Sequence, residues 1–324
     1  MKIGIVTEMS IFGKISKDYP NMRTEFVWAW MLDADFIPYS YFDNIETYIN
    51  IIENYDFLLF IPSKKHPEYL INVKNCPIKC AIMQEGGRYQ WLEWATKYQE
   101  LYLECLQSVD VVLCHNESDI DYFKQFTSKP VEKLSTYQFV NKYKELRKIN
   151  RKENIFIGGQ FTAWYGGRHS YEVVKDFEWN MIGFPSMGRI QPDEKEVIEI
   201  KDCRTIYNDY VLMADYMQML NEYKYAIHLM PINAAGSFSL GCAILGIPCI
   251  GNCYNDTDAI LFPTLTVDPN DSDIIKCAKC RLDDMLNDID YYINYADNHL
   301  FLFDAEKQKE TLQNQFRRYI NANE

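Results

Sequence analysis

The sequence predicts an α/β protein built from two domains, each around a parallel β-sheet. Its 324 residues are many for one hydrophobic core, and 48% of them are hydrophobic, which is enough to fill two cores. Short, continuously apolar segments alternate with helix-length segments along both halves, as in parallel sheets covered by helices on both faces. A polar, basic stretch at 135–153 separates the halves. We therefore predict an N-terminal domain at 1–145 and a C-terminal domain at 152–304, with a final helix at 305–324 that could return to the first domain.

Five apolar segments predict the strands of the N-terminal domain, and the first is followed by a helix that Asn21 would cap. Ligands of parallel sheets gather at the carboxyl ends of the strands. Polar residues at those ends are therefore candidates for function, above all Glu8, Glu85 and His115. The predicted strands are residues 2–7, 35–39, 57–61, 79–83 and 109–114.

The C-terminal domain begins with a predicted strand that ends at Gly158 and Gly159, where a backbone could meet a ligand closely. A glycine-rich turn and a helix follow, with Arg168 in the turn, and Arg189 comes after the next predicted strand. A guanidinium group can form two parallel hydrogen bonds with a phosphate, so both arginines are candidate diphosphate contacts. For Arg168 alone, a surface ion pair is the alternative. A further helix is predicted at 216–223.

A strand–turn–helix–strand unit forms the centre of the C-terminal domain. The unpaired N–H groups and the positive dipole end of its helix would point out of the turn, where Gly236 leaves space for an anion. The hydroxyl groups of Ser237 and Ser239 could add donors. The alternative is an ordinary crossover with Ser237 as the N-cap of the helix. The unit consists of a strand at 227–230, a helix at 238–245 and a strand at 248–250.

These features together supply what a nucleoside diphosphate needs, namely a helix dipole, backbone donors and guanidinium groups. Neither a GxxxxGK[ST] loop nor a GxGxxG fingerprint occurs in the sequence. A kinase-like NTPase or a dehydrogenase is therefore poorly supported.

Three segments of the C-terminal half, HLMP (228–231), AAGSFSLGCAILGIPCIGN (234–252) and NDTDAI (255–260), resemble retaining glycosyltransferases of the GT-B fold, distantly those of family 4. The resemblance implies two Rossmann-like domains that face each other across a cleft. It also implies a nucleotide-sugar, expected to be a UDP-sugar, as co-substrate on the C-terminal domain. The donor-binding residues are then Gly158, Gly159, Arg168, Arg189, Met230, Pro231, Gly236, Ser237, Phe238 and Ser239.

The sequence departs from that family at two positions. Its pattern has two glutamates eight residues apart, and this chain has Asn233 and Gly241 there. Recognition of the sugar hydroxyls and the retaining or inverting outcome are therefore not carried over.

A narrower resemblance concerns the acceptor. NMRTEFVWAW (21–30), QEGGR (84–88) and HNESD (115–119), taken with the central segment, resemble a group of phage-encoded GT-B enzymes. Several of these glycosylate hydroxymethylated pyrimidines in phage DNA, so the resemblance implies double-stranded modified DNA as a candidate partner and the host cytoplasm as the location. The acceptor-binding residues would be Asn21, Arg23, Arg88 and Asn116.

Sugar transfer needs a base for the acceptor hydroxyl and positive charge for the leaving diphosphate. Glu85, His115 and Glu8 are the candidates for the base, and the choice among them stays open. The ordinary pKa of histidine, about 6.5, suits proton transfer. A carboxylate would need a pKa raised by burial, and a retaining enzyme could dispense with a protein base.

The formal charge of −13 argues against non-specific DNA binding, but one basic run at 142–152 could follow phosphates. The alternative for this run is a solvated linker helix. Trp28, Trp91 and Trp94 could stack on a flipped base, although helical spacing favours a core position.

The sequence predicts a cytoplasmic protein without membrane insertion, because no apolar run approaches 18 residues. Four DxD pairs occur in this acidic chain, and we expect no metal requirement. A transferase acting on an envelope or capsular glycan and an inactive nucleotide-sugar binder are the competing hypotheses. The donor sugar and the oligomeric state stay open.

Overall fold

The structure, a computed structural model, describes residues 1–63, 65–161, 165–185, 202–209 and 211–321. The chain divides into two compact units. The first comprises Met1–Tyr137 and Ala305–Glu324, and the second comprises Gln138–Asp304.

The described strands and helices are numbered along the chain. The strands are β1 (Ile3–Thr7), β2 (Gly13–Lys14), β3 (Asp35–Pro38), β4 (Phe57–Phe60), β5 (Cys80–Met83), β6 (Val111–Cys114), β7 (Val131–Lys133), β8 (Asn154–Ile157), β9 (Met181–Phe184), β10 (Thr205–Tyr207), β11 (Tyr225–Ile227), β12 (Cys249–Asn252) and β13 (Thr266–Val267). The α-helices are α1 (Thr24–Leu32), α2 (Ile45–Asn54), α3 (Leu70–Lys74), α4 (Thr96–Ser108), α5 (Glu117–Phe123), α6 (Val140–Lys144), α7 (Gly167–Val174), α8 (Met213–Leu220), α9 (Ser237–Leu245), α10 (Asp256–Leu261), α11 (Ile274–Asn287), α12 (Ile289–His299) and α13 (Ala305–Asn321).

The sheet of the first unit has the strand order β2-β3-β1-β4-β5-β6-β7. All neighbouring strands in it are parallel except β2 and β3. Strands β4, β5 and β6 are buried at every position, as expected for a parallel sheet with both faces covered. The strand order reverses between β1 and β4, and doubly wound sheets bind ligands in the crevice at the carboxyl ends of two such strands.

The last helix, α13, packs on the first unit. The ring of its Phe316 meets the ring of Phe57 on β4 edge to face at 5.6 Å. The amide of Gln313 donates to the carbonyl oxygen of Met31 on α1 at 2.9 Å. Aromatic packing and a buried backbone acceptor therefore hold this C-terminal segment on the N-terminal sheet.

The sheet of the second unit has the order β10-β9-β8-β11-β12-β13, with every paired strand parallel. Taken in sequence order, this is the 3-2-1-4-5-6 arrangement of dinucleotide-binding sheets. Its reversal lies between β8 and β11. Any ligand of this unit is expected there, at the carboxyl ends of these two strands.

The predicted α/β class with two parallel sheets is confirmed, and most predicted strands differ from the observed ones by one or two residues at their ends. Three predictions are corrected. The strand predicted at 227–230 ends at Ile227, because the N–H of Leu229 donates to the hydroxyl of Ser170 instead of continuing the sheet. The helix predicted at 216–223 lies three residues earlier. Helix α1 has Arg23 as its N-cap, and not Asn21.

Among the residues that the structure covers, no helix is both long enough and apolar enough to cross a bilayer.

Candidate functional site

The turn between β11 and α9 presents an open helix N-terminus. Gly236 is the N-cap of α9 and has a positive φ of 71°, and no described side chain caps the helix. A Cβ at Gly236 would lie 2.4 Å from Oγ1 of Thr257, so glycine is required both by conformation and by space. The first N–H groups of α9 are therefore held ready for an acceptor from outside the helix.

The two serines of α9 have different environments. Ser237 is the first residue of the helix, not its N-cap, and its side chain is exposed. Ser239 is buried, and its hydroxyl lies 3.0 Å from the carbonyl oxygen of Gly236 and within hydrogen-bond reach of Asp258. Of the two predicted hydroxyl donors, Ser237 is therefore exposed, whereas Ser239 is used within the turn, where it contacts Gly236 and Asp258.

Asp258 is a buried carboxyl group behind the same turn, only 4% exposed. Burial raises its pKa to about 6, although hydrogen bonds from Ser239 and from the backbone N–H of Asn252 oppose the rise. The N–H of Asn252 donates to Oδ2 of Asp258 at 3.0 Å. The sequence showed Asp258 only as part of a DxD pair, and its link to the Gly236 turn came from the fold.

The turn between β8 and α7 offers a second helix N-terminus. Its N-cap is Gly166, with a φ of 64°, and none of the described side chains caps the helix. A Cβ at Gly166 would lie 1.7 Å from the carbonyl oxygen of Leu229, and a Cβ at Gly159 would lie 1.7 Å from that of Tyr165. The backbones of the β8 and β11 turns are therefore in direct contact, which only glycines permit.

Both helix N-termini lie at the point where the strand order of the second sheet reverses. Strand β8 pairs with β11 in parallel, with Ile157 opposite Ile227. Helices α7 and α9 begin after the carboxyl ends of these two strands. The N–H of Gly167, the first of α7, donates to the carbonyl oxygen of Gln160 at 3.0 Å. Two positive dipole ends, with the first N–H groups of α9, form a site suited to an anion at this edge.

Two of the predicted donor residues, Phe238 and Met230, are buried beside the β8 and β11 turns. The Phe238 ring is buried against the backbone of Gly158, where an added Cβ would lie 2.5 Å from the ring. Met230 is buried, and its carbonyl oxygen accepts a hydrogen bond from Asn252 at 3.2 Å. Pro231 next to it is partly exposed.

Arg168 is the one of the two predicted arginines that lies within the described residues. Arg168, near the start of α7, is exposed, and Nη2 lies 2.6 Å from the carboxylate of Glu172 one helical turn on. An exposed pair of this kind contributes little to stability, so it can exchange Glu172 for another anion at low cost. Arg189 lies outside the described residues.

His228, which sequence reasoning did not single out, is the first residue after β11. Burial lowers its pKa to about 4, although a hydrogen bond with the backbone of Tyr165 opposes the change. Its Nε2 is buried, and no described residue bonds to it. The imidazole is therefore neutral at pH 7 and packs edge to face against Phe238 at 5.3 Å.

The contacts at the C-terminal end of α9 correct the prediction for the basic run at 142–152. Arg147 donates to the carbonyl oxygens of Ile244 and Ala243 at 2.5 and 2.8 Å. Arg151 donates to those of Leu245 and Gly246 at 2.5 and 3.1 Å. The run at 142–152 is thus neither a solvated helix nor, at these two arginines, a phosphate-binding face. Its i,i+4 arginine spacing was the one signal in the sequence.

In the first unit, Glu8 and Ser63 lie where the strand order reverses, after β1 and β4. The Ser63 hydroxyl donates to Oε2 of Glu8 at 2.5 Å. Glu85, after β5, is exposed, and its carboxylate forms no hydrogen bond or ion pair with the described part of the chain. Of these two carboxylates, only Glu85 is unengaged.

His115 and Asn116 follow β6 and are both buried. The imidazole of His115 stacks on Trp28 with ring centroids 5.5 Å apart. The amide of Asn116 donates to Asp119 at 3.2 Å. These two residues form part of a packed polar layer at the carboxyl edge of the sheet.

Arg88 is bound within the first unit. Its guanidinium donates to the carbonyl oxygen of Ser118 at 3.3 Å and lies 3.7 Å from the buried carboxylate of Asp119. It also lies over the rings of Tyr89 and Tyr122. These contacts fix the 84–88 loop to the start of α5.

Asn21 and Arg23 bond to each other, with Nε of Arg23 2.9 Å from Oδ1 of Asn21.

Two of the tryptophans predicted as possible base-stacking residues, Trp28 and Trp91, are buried in the core. Within the described ranges, no group of three or more His, Cys, Asp or Glu side chains is arranged to hold a metal ion.

No protein-family model matches the sequence, and no curated protein matches it. Solved structures do. A sucrose-phosphate synthase from Thermosynechococcus elongatus has a TM-score of 0.70 at 10% identity over 99% of both chains. HepE from Anabaena, solved with UDP, has a TM-score of 0.69 at 10% identity over 99% of this chain and 100% of its own. An α,α-trehalose-phosphate synthase (UDP-forming) from Burkholderia xenovorans, solved with glucose-6-phosphate, has a TM-score of 0.66 at 9% identity over 99% of both chains. The chain therefore has the GT-B fold, as expected.

Proposed function

We propose that this protein is a glycosyltransferase that moves a sugar from a nucleoside-diphosphate sugar to a hydroxyl group. One observation carries the proposal: two helices that no described side chain caps, α7 and α9, begin side by side where the strand order of the second sheet reverses. The diphosphate of the donor would bind there. The GT-B fold supports this assignment, and HepE, which shares it, was solved with UDP-glucose.

The chemistry follows from the leaving group. When the bond between the sugar and the diphosphate breaks, negative charge grows on the departing oxygen. Fixed N–H groups and helix dipoles stabilise that charge without having to reorganise. In this proposal the N–H groups from Ser237 to Ser239 and the hydroxyl of Ser237 would do so, and Arg168 could leave Glu172 to add a full positive charge.

The other donor-side residues would shape the site rather than touch phosphate. Gly158 and Gly159 allow the close backbone packing of the β8 turn, and the ring of Phe238 packs against Gly158. Met230 and Pro231 would line the site beside the β11 turn.

The first unit would bind the acceptor and supply any base. Glu85 is the best candidate, because its carboxylate is exposed and unengaged by described residues, whereas Glu8 is held by Ser63. His115 is buried and would support the acceptor loop. Arg88, Asn116, Asn21 and Arg23 would position that loop and the start of α1 through their bonds within the unit.

We propose a 5-hydroxymethylpyrimidine in double-stranded phage DNA as the acceptor, and the host cytoplasm as the place of action. The support is the sequence resemblance at 21–30, 84–88 and 115–119. Because Arg147 and Arg151 bind helix carbonyls, DNA phosphates would have to meet other basic residues.

An inactive nucleotide-sugar binder is the second candidate, and the residues at two positions favour it. The glutamates that the family carries are replaced by Asn233 and Gly241. A side chain at position 241 would point towards Met217 of α8, 3.3 Å away. Such a protein would bind the donor without turning it over.

The test is mass spectrometry of hydroxymethylated and plain duplex oligonucleotides incubated with a panel of UDP-sugars. A hexose or pentose added only to the hydroxymethylated duplex supports the full proposal. Donor hydrolysis without DNA modification would support the glycosyltransferase proposal but contradict DNA as the acceptor. Donor binding with neither product would favour the inactive binder.

Arg168→Gln isolates the charge at the donor site. The variant should bind UDP about tenfold more weakly, because one charge-assisted contact to phosphate is lost. Arg281→Gln is the matched control, since Arg281 also forms an exposed ion pair with a carboxylate on its own helix. Equal UDP affinity in both variants would show that Arg168 does not contact the diphosphate.

A further inference from the structure

We propose that Arg147 and Arg151 are positioning residues for anion binding at the opposite end of α9. The inference rests on the proposed function, because it assumes that the N-terminus of α9 meets the donor diphosphate. It assigns a role to two linker residues that touch neither donor nor acceptor.

The two guanidinium groups complete the hydrogen bonding of the helix. The last four carbonyl groups of an α-helix lack partners within it. Here Arg147 bonds to the carbonyl oxygens of Ala243 and Ile244, and Arg151 to those of Leu245 and Gly246. Because α9 is buried along almost its whole length, water could not replace these partners cheaply.

The arginines are themselves fixed by a second set of bonds. Asp297 on α12 accepts two hydrogen bonds from Arg147, at 2.6 and 2.8 Å. Asn221 after α8 accepts from Arg151 through both its side chain and its carbonyl oxygen, at 2.7 and 3.0 Å. Each guanidinium group therefore has one orientation, and the end of α9 is tied to two neighbouring helices.

The charges matter as well as the bonds. Burial and the neighbouring Arg147 lower the pKa of Arg151 to about 10, so this group remains charged at pH 7. Arg147, Arg151 and Lys144, whose Nζ lies 3.0 Å from Asp297, outnumber the carboxylate of Asp297, and the nearby carboxylate of Glu222 is paired with Lys148. Net positive charge therefore remains at the carbonyl end of α9. The negative end of the helix dipole is thereby neutralised, and the potential at the Gly236 end becomes more favourable to an anion.

The expected size follows from distance. A helix of this length is about 13 Å long, and two unit charges that far apart interact enough to change a binding constant about three- to ninefold when the effective dielectric constant is about 20 to 40. Arg147→Gln and Arg151→Gln should each weaken nucleoside diphosphate binding by about that factor. Binding of the uncharged nucleoside should not change.

The experiment measures dissociation constants by calorimetry for whichever of UDP, ADP and GDP the wild-type protein binds best, and for the matching nucleoside. The readout is the ratio of the two affinities, which a loss of folded protein does not alter. Lys148→Gln is the matched control, because Lys148 lies between the two arginines and pairs with Glu222 at the surface.

Asp297→Asn gives a second test of opposite sign. Removing this carboxylate leaves more net positive charge at the carbonyl end, so the nucleoside diphosphate should bind about twofold more tightly. A purely structural role predicts weaker binding, because the anchor of Arg147 is lost. This variant decides the question if the arginine variants do not fold.

The inference would be overturned if, in both arginine variants, the nucleoside diphosphate bound as tightly relative to the nucleoside as it does in wild type. It would also be overturned if the nucleoside diphosphate bound more weakly, relative to the nucleoside, in Asp297→Asn. If the wild-type protein binds none of the three nucleotides, the proposed function itself fails. The two failures are thus distinguishable.

Discussion

The ring of Phe238 occupies the space that a side chain on Gly158 would need. A Cβ built at Gly158 would lie 2.5 Å from Cε1 of that ring. Gly158 follows β8, and Phe238 is the second residue of α9, so this contact joins the two turns of the candidate site. The position of the α9 N-terminus therefore depends on a residue eighty positions earlier in the chain.

Gly158→Ala should lower the free energy of unfolding by about 1–3 kcal/mol, because a methyl group is forced against a buried ring. It should also weaken UDP binding, since Phe238 can move only together with the start of α9. Gly241→Ala is the control on the same helix: its Cβ would meet the flexible thioether of Met217 at 3.3 Å, and alanine favours the helix. Urea denaturation and calorimetry measure both effects. Equal loss of stability in the two variants would contradict the packing argument.

Gly236→Ala tests the open N-terminus of α9. Both Gly236 and Gly13 have positive φ, but a Cβ at Gly13 would meet nothing within 4 Å. Gly13→Ala should therefore show only the conformational cost, about 1 kcal/mol. Gly236→Ala should lose more stability than that and most of its UDP affinity, as followed by denaturation and calorimetry. If UDP binds Gly236→Ala as tightly as it binds wild type, the diphosphate lies elsewhere.

Asp258→Asn should change how stability depends on pH. The folded-state pKa of about 6 lies above the ordinary value of 3.8, so between these values the folded protein keeps a proton that the unfolded chain releases. The free energy of unfolding should fall by about 2–3 kcal/mol as the pH rises from about 4 to 6, and this contribution should stay constant above. Asparagine cannot ionise and should abolish that fall.

The measurement is urea denaturation of wild type and Asp258→Asn at half-unit pH steps from 4 to 8. As the pH rises from about 4 to 6, the free energy of unfolding of Asp258→Asn should increase relative to that of wild type. A constant difference would mean that Asp258 does not titrate there. Asp176→Asn is the control, because the pKa of this exposed carboxylate is lowered by its hydrogen bond with Lys279.

Glu85→Gln tests the proposed base. Because the carboxylate has no described partner, its replacement should leave the melting temperature and the KM for the donor unchanged. It should lower kcat about 10²–10⁴-fold if Glu85 removes the acceptor proton. Glu93→Gln, exposed in the loop that follows, should leave kcat unchanged. Full activity in Glu85→Gln would direct attention to Glu8 or to a mechanism without a protein base.

Local pattern was enough for much of the fold. Segments such as FLLF and VVLC are apolar at every position, and they are strands β4 and β6, buried on both faces. Gly246 ends α9 in a left-handed conformation, as its place before Pro248 indicated. These features depend on a few neighbouring residues, so a single sequence contains them.

Residues whose partners are distant in sequence were harder to interpret. Ser237 and Ser239 looked equivalent, yet only Ser237 is exposed, because Ser239 meets Asp258 across the turn. Asp258 looked like one of several chance DxD residues until burial raised its pKa. The basic run at 142–152 looked solvated, although Arg147 reaches a helix almost a hundred residues away.

The sequence by itself determined the α/β class, the alternation of strands and helices through both halves, and the glycines that open the two turns, because backbone conformation and apolar periodicity are local properties. Only the tertiary structure decided which side chains serve those turns. Burial, hydrogen-bond partners and charge neighbours arise where distant segments meet. They gave Arg147 its contacts with the end of α9, placed Ser239 against Asp258, and left the Glu85 carboxylate without a partner among the described residues.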